Sequence, residues 1–306
     1  MPSPTPLAYV IGEALIDAVT TLDGATTEHP GGSPANVALT LGRLGRNARL
    51  LSWIGADERG KRIQDWLDES NVSLDESGTH ATRTSLAHAT LSADGSATYN
   101  FDLEWDLPSI SVPSNAVVAH SGSIAAVLEP GGAKAFALLK DAQQRCTITY
   151  DPNIRPTLMG DPDIVRPIVE RYVALADVVK VSDEDLEWLY PGESPEEVAA
   201  RWRATGPALV VVTFGGDGAF GVTSVDAIRV DAPRTDVADT VGAGDSFMGA
   251  LIHGLWQRNL LGGSEREALR AVNGATLKEV LLQCAKVAAV TVSRAGANPP
   301  WLAELG

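Results

Sequence analysis

The stretch Asp239-Thr240-Val241-Gly242-Ala243-Gly244-Asp245-Ser246-Phe247, DTVGAGDSF, runs straight into the apolar segment FMGALIHGLW. Glycines at 242 and 244 leave backbone N–H groups uncovered, and the apolar run that follows reads as a helix. A helix start of this kind gathers unpaired donors and a partial positive charge, which suits phosphate and the charge of a phosphoryl group in transfer. Asp239 or Ser246 is enough to cap such a helix. Asp245 therefore either has a task of its own or is a first-turn acid facing the helix dipole.

Outward from this loop, short β-rich runs (LAYVIG, NARLLSWIG, AVVAHSG, CTITYDP, DVVKVS, ALVVVTFGG) alternate with longer amphipathic segments. Helices are expected at 34–44, 58–69, 132–144, 162–174, 183–189, 195–204 and 244–258, with a long pair between 264 and 293. That rhythm predicts an α/β domain built on a parallel sheet. Residues 15–29 and 81–103 break it with period-two alternation, and Asp94-Gly95 supplies a hairpin turn. They predict a small, discontinuous β lid over an α/β domain made of 1–14, 30–80 and 104–306.

With 306 residues and 44% hydrophobic content the chain can bury a sizeable core. A net charge of -15 argues against general affinity for nucleic acid or anionic membrane, since both demand basic patches. Cys146 and Cys284 each sit in apolar segments, so neither a disulfide framework nor a cysteine-rich zinc site is indicated. The start of the chain lacks a basic, uninterrupted apolar leader, and no stretch approaches the ~20 apolar residues of a membrane span, so a cytoplasmic location is the expectation.

Common phosphate and catalytic motifs do not account for DTVGAGDSF. Its glycines, with Gly249, do not follow Gly-x-Gly-x-x-Gly, and there is no Gly-x-x-x-x-Gly-Lys-Ser/Thr. Histidines 29, 80, 88, 120 and 253 show no metal-ligand spacing, and GSPAN lacks the last glycine of a nucleophile elbow. A second block, PGGSPANVALTLGRLG at 30–45, places paired glycines before a helix. There Asn36 can donate to and accept from a hydroxyl, as polyol recognition requires, although a solvent-facing Asn after a glycine turn is the simpler reading.

Together, GGSPANVALTLGRLG (31–45) and DTVGAGDSFMGALI (239–252) resemble the two signatures of the ribokinase-like (PfkB-type) carbohydrate kinases. GEALID (12–17), DPNIR (151–155), VKVSDED (179–185), VVTFGGDGAF (211–220) and SRAGANPP (293–300) agree, so the similarity spans essentially the whole chain. GEALIDAV and SRAGANPPW look most like the fructokinase and 2-keto-3-deoxygluconate kinase branch. The resemblance implies a three-layer α/β/α fold with a β-sheet lid and transfer of the γ-phosphoryl group of ATP to a sugar hydroxyl, usually primary.

By that resemblance Asp245 accepts the hydroxyl proton, and the amides of Gly242, Ala243 and Gly244 hold the transferring phosphate. Asp17, Gly32 and Asn36 face the sugar, Arg155 approaches the sugar or the phosphate, Phe101, with Tyr99 and Trp105, offers the sugar an apolar surface, and Lys180, Ser182, Thr213, Gly215 and Gly218 lie by the nucleotide. Asp239 and the Val241 carbonyl match a monovalent-cation site (K+), with the turn near Gly296. For magnesium the family's Asn-x-x-Glu is replaced by Ser182-Asp183-Glu184-Asp185, where Asp185 keeps a charge on a shorter arm and acts through water. A homodimer through the lid is expected. Fructose is the expected sugar. 2-Keto-3-deoxygluconate and ribose are the alternatives, and the rival classes are a sugar-binding regulator without turnover and an oxidoreductase.

Overall fold

In a computed structural model, which describes residues 4–91 and 97–306, two sheets organise the chain. The strands are β1 (Leu7–Ile11), β2 (Leu15–Thr20), β3 (Thr26–Gly31), β4 (Ala48–Leu51), β5 (Val72–Leu74), β6 (Leu86–Leu91), β7 (Ala97–Asp102), β8 (Ala116–Gly122), β9 (Thr147–Asp151), β10 (Val178–Ser182), β11 (Leu209–Thr213), β12 (Ala219–Val222) and β13 (Ala227–Val230). Nine of them form one sheet in the order β13-β12-β11-β10-β9-β8-β1-β4-β5, and four form another in the order β3-β2-β6-β7.

The large sheet is parallel from β11 to β5, and its strands from β11 to β1 are buried on both faces. Such strands need apolar residues at nearly every position, as LAYVI and LVVVT have. One core holds Tyr9, Ile11, Tyr150 and Val181 against Leu139, Val169, Leu186 and Trp202. The other holds Val10, Val118 and Val178 against Val37, Ile63, Met248 and Leu281. Successive strands move outward in one direction from β8 and in the other from β1, so the order reverses between them. Crevices at the carboxyl ends of strands flanking such a reversal are where open α/β sheets bind ligands.

The last two strands depart from the expected parallel rhythm: β12 and β13 return antiparallel. The Phe214–Gly218 turn is closed by the Phe214 N–H donating to the Gly218 carbonyl at 2.9 Å, making GGDG a hairpin turn. The expected C-terminal helix pair is unequal, Arg266–Arg270 and Gly274–Val292. In the small sheet β2 pairs parallel with β6, while β3 and β7 flank them antiparallel. The Asp94-Gly95 turn and the Tyr99 side chain lie outside the described residues. Trp105 is a core residue, its indole N–H donating to the Ala125 carbonyl at 3.0 Å and its ring filling the space a side chain on Gly131 would need.

Two helices bring the glycine blocks together. Ser33–Arg43 starts from Gly32 (φ 112°) with Pro34 in its first turn, and Ala243–Gln257 starts from Gly242 (φ 76°); neither start has a side-chain cap. They touch at Gly249, where a Cβ would sit 2.6 Å from that of Thr40. Among the described residues no helix is long and apolar enough to cross a membrane.

Candidate active site

Asp245 lies in the first turn of Ala243–Gln257 and is only 6% exposed. Ser33 Oγ donates to its Oδ1 at 2.6 Å and Asn36 Nδ2 to its Oδ2 at 2.7 Å. Asn153 Nδ2 approaches Oδ1 at 3.4 Å. Neither Asp239 nor Ser246 caps this helix, and no side chain makes a capping hydrogen bond at its start. Asn36 is buried rather than solvent-facing, with its donor committed to Asp245 and its Oδ1 without a partner among the described residues.

Beneath the glycines lies Lys180. A Cβ on Gly244 would meet its Nζ at 2.8 Å, so the absence of a side chain there lets the ammonium reach the helix start. Nζ donates to Asp151 Oδ2 at 3.0 Å in a pair that is almost wholly buried. Burial disfavours the charged lysine, but the facing acids, Asp151 first and then Asp185 and Asp245, hold its pKa above the ordinary value. Asp185 and Ser182 satisfy each other in a capping box at the start of Asp183–Leu189, and Asp185 also accepts the Ile154 N–H at 2.8 Å. Both Asp185 oxygens are therefore engaged by backbone.

β2 carries Asp17 over the glycine pair of the other block. Its Oδ2 occupies the place of a Gly31 side chain, 2.2 Å from where the Cβ would be, and Gly32 passes as closely over the Glu13 backbone. Asp17 is exposed, yet surrounding protein pushes its carboxyl up to about 6 against the pull of Arg155 and His29. Glu13 is buried, accepts the Ala125 N–H at 3.3 Å, and is pushed by burial up to about 7 against a hydrogen bond from Ser123 and the field of Arg155.

Arg155 is itself exposed, and its Nη1 donates to Asn153 Oδ1 at 2.8 Å. Asn153 holds a left-handed backbone (φ 40°), an uncommon conformation that concentrates at functional sites. Phe101 is half-buried on β7, across from Ala87.

Further out, Asp239 Oδ1 accepts the Val241 N–H at 3.0 Å and Oδ2 the Gly296 N–H at 2.8 Å, which holds its carboxyl below the usual range. These bonds join the loop to the C-terminal turn, where Gly242 lies against Ala297. The Asp239 carboxylate, which these bonds favour in its ionised form, and the Val241 carbonyl are the oxygen donors of the candidate cation site. Thr213, half-buried, ends β11, and Gly215 and Gly218 take positive φ in the hairpin turn, on the same edge of the sheet as Ser182. Glu13, Ser33, Asp151 and Asn153 were not singled out from sequence, although each lies inside a quoted motif.

The chain matches the model of the pfkB family carbohydrate kinases over residues 6–304. It is 35% identical over 263 residues to a fructokinase of Rhizobium leguminosarum bv. trifolii, covering 82% of this chain and 80% of that one. It is 31% identical to a probable fructokinase-3 of Arabidopsis thaliana, covering 96% and 88%. Among solved structures, the fructokinase of Xylella fastidiosa with bound ATP superposes with a TM-score of 0.84 at 24% identity, over 98% of this chain and 96% of that one. A double mutant of the Vibrio cholerae fructokinase, bound to fructose, ADP and potassium, gives 0.77 at 27% identity, over 98% and 97%.

The chain therefore belongs to the pfkB family of carbohydrate kinases and has the ribokinase-like α/β fold. It is a sugar kinase whose general reaction is ATP-dependent phosphorylation.

Proposed function

We propose that the chain transfers the γ-phosphoryl group of MgATP to a primary hydroxyl of fructose, with Asp245 as the general base. The observation that carries this reading is the position of Asp245: a buried carboxylate, aimed by Ser33 and Asn36 at 2.6 and 2.7 Å, in the first turn of an uncapped helix. Phosphoryl transfer has a loose transition state, so positioning and charge stabilisation dominate. The sugar oxygen attacks phosphorus, the bond to the β-phosphate oxygen breaks, ADP leaves, and the hydroxyl proton passes to Asp245. The amides of Gly242, Ala243 and Gly244, with Lys180 below, face the charge on the phosphoryl oxygens. Ser182, Thr213, Gly215 and Gly218 line the nucleotide side, and Asp185 is the residue that would help hold, through water, the magnesium that neutralises the phosphate charge of ATP.

Asp17, Gly32, Asn36, Arg155 and Phe101 form the sugar side, under the small sheet as a lid, whose outer edge is the surface for a homodimer. Arg155 is the motif cation a sugar acid needs, and it faces both Asp17 and Glu13, whose carboxyls its field lowers. A substrate carboxylate there meets two acids, which favours a neutral sugar, in line with the fructokinase names of the relatives. Asp239 and the Val241 carbonyl hold a potassium ion that fixes the loop of the anion hole.

ADP release measured with fructose, ribose and 2-keto-3-deoxygluconate, in potassium or sodium buffer, tests this. Fructose is expected to give the highest kcat/KM, with faster turnover in potassium. Preferential turnover of the keto-acid sugar would overturn the substrate assignment, and no turnover on any sugar would overturn the catalytic one.

A further inference from the structure

Three acids face Lys180, and they differ in what else they do. Asp185 accepts two backbone N–H groups and caps a helix. Asp245 is held by side chains of the other glycine block. Asp151 has a single hydrogen bond, from Lys180 Nζ to its Oδ2, and its Oδ1 has no partner among the described residues. It braces no turn and caps no helix, unlike Asp177 at the far end of the sheet, which accepts the Ile148 N–H and grips Arg266.

The pair is also costly to the fold. Asp151 and Lys180 face each other one residue beyond the Val179–Tyr150 pair of β9 and β10, on a face where β9 also carries Thr147 and Thr149 and β10 carries Val178, and both charges are buried there. Desolvating two charges generally costs as much as their attraction returns, so a buried pair is weak evidence of a stabilising role. The other charged or titratable neighbour, His120 on β8, is kept neutral by burial, which pushes it down to about 3, and its Nδ1 bonds Thr149 Oγ1 at 3.0 Å. Among the described residues the hydrogen bond that directs the Lys180 ammonium is the one to Asp151, and the ammonium lies under Gly244.

We propose that Asp151 is a positioning residue for phosphoryl transfer: it holds the Lys180 ammonium rigidly beneath the Gly242–Gly244 amides, where that charge meets the transferring phosphoryl group. This rests on the reading of those amides as the anion hole. A lysine stem has four rotatable bonds, and a preorganised charge acts on a transition state only if it does not need to be reoriented during the reaction.

The experiment compares Asp151→Asn, Asp151→Glu, Lys180→Met and the double variant Asp151→Asn/Lys180→Met with the wild type. Steady-state kinetics on fructose, calorimetric binding of MgADP and thermal unfolding are measured for each. Asp151→Asn is expected to lower kcat on the order of 10²-fold, with sugar KM and MgADP affinity changed by less than about threefold. Its kcat should also decline toward alkaline pH, because a buried lysine without its counter-ion releases its proton earlier. Asp151→Glu keeps the charge but misplaces it, so kcat falls less and shows no new alkaline decline. This variant decides the matter if the Asn variant does not fold.

In the Lys180→Met background Asp151→Asn should cost nothing further, since Asp151 acts through the lysine. If it slows Lys180→Met as much as it slows the wild type, or if both Asp151 variants turn over like the wild type, the proposal is wrong while the kinase reading stands. A wild-type protein that phosphorylates no sugar would overturn both.

Discussion

The two sides of the cleft are built differently. On the proposed phosphoryl side Asp245, Asp151 and Lys180 are buried, and hydrogen bonds of 2.6 to 3.0 Å fix each of them before any ligand arrives. On the proposed sugar side Asp17 and Arg155 are exposed, and Arg155 is steadied mainly by Asn153 and neighbouring carbonyls. The phosphoryl group is the same for every member of such a family, so its charges can be set permanently. The sugar varies, and its hydroxyls complete a site that is otherwise left to solvent and to the small sheet.

Removing the base tests the finished side most severely. Asp245→Asn keeps the shape and the two short contacts possible but cannot take a proton. Turnover is expected to fall by roughly 10² to 10⁴, the range of general-base loss, while sugar binding survives. Calorimetry with fructose alongside steady-state kinetics separates the two, and near-wild-type turnover would remove Asp245 from the chemistry.

How much of this contrast was legible in the sequence depends on whether neighbours in space were neighbours in the chain. The helices and parallel strands followed from apolar periodicity, because each element announces its own buried face. The return of β12 and β13 did not, because GGDG reads equally as a ligand turn and as a hairpin until the pairing partners are known. Asp245 and Asn36 were each visible as odd residues in glycine-rich blocks. Their bond was not, since 209 positions separate them. Asn153 and Asp151 sat in a quoted motif beside Arg155 but carried no periodic or compositional signal. Their meaning lies in a left-handed φ and in a lysine on the next strand.

Glu13, at the turn between the large sheet and β2, sharpens the comparison from the stability side. Its carboxyl is pushed up from 4.5 to about 7, so the folded protein keeps this proton longer than the unfolded chain does. The ionised form is the destabilising one: stability falls as pH rises from about 4.5 to about 7, by roughly 3 kcal/mol in full. Glu13→Gln keeps an acceptor for the Ala125 N–H and removes the titration. In chemical denaturation the variant is expected to be the more stable protein at pH 8 and to converge with the wild type toward pH 4.5. A variant less stable at both ends would mean that the ionised carboxylate is structurally required.

The smallest effect belongs to the unfinished side. Ionised Asp17 accepts sugar hydroxyls on both oxygens, whereas protonation turns one of them into a donor and removes the charge that strengthens the bonds. Desolvation by the surrounding protein raises its carboxyl to about 6 despite Arg155 and His29. Because the charged form is the tighter-binding form, sugar affinity is full above about pH 7 and weakens as pH falls through 6. The rise in KM is about tenfold per pH unit at most. The kcat at saturating sugar should hold over the same range, provided the phosphoryl side is as independent of Asp17 as its separate hydrogen bonds suggest. Asp17→Asn should raise KM at pH 8 and erase the acid limb. If that limb persists in the Asn variant, the titrating group lies on the other side of the cleft, and the division between a prebuilt phosphoryl side and a sugar-completed side fails.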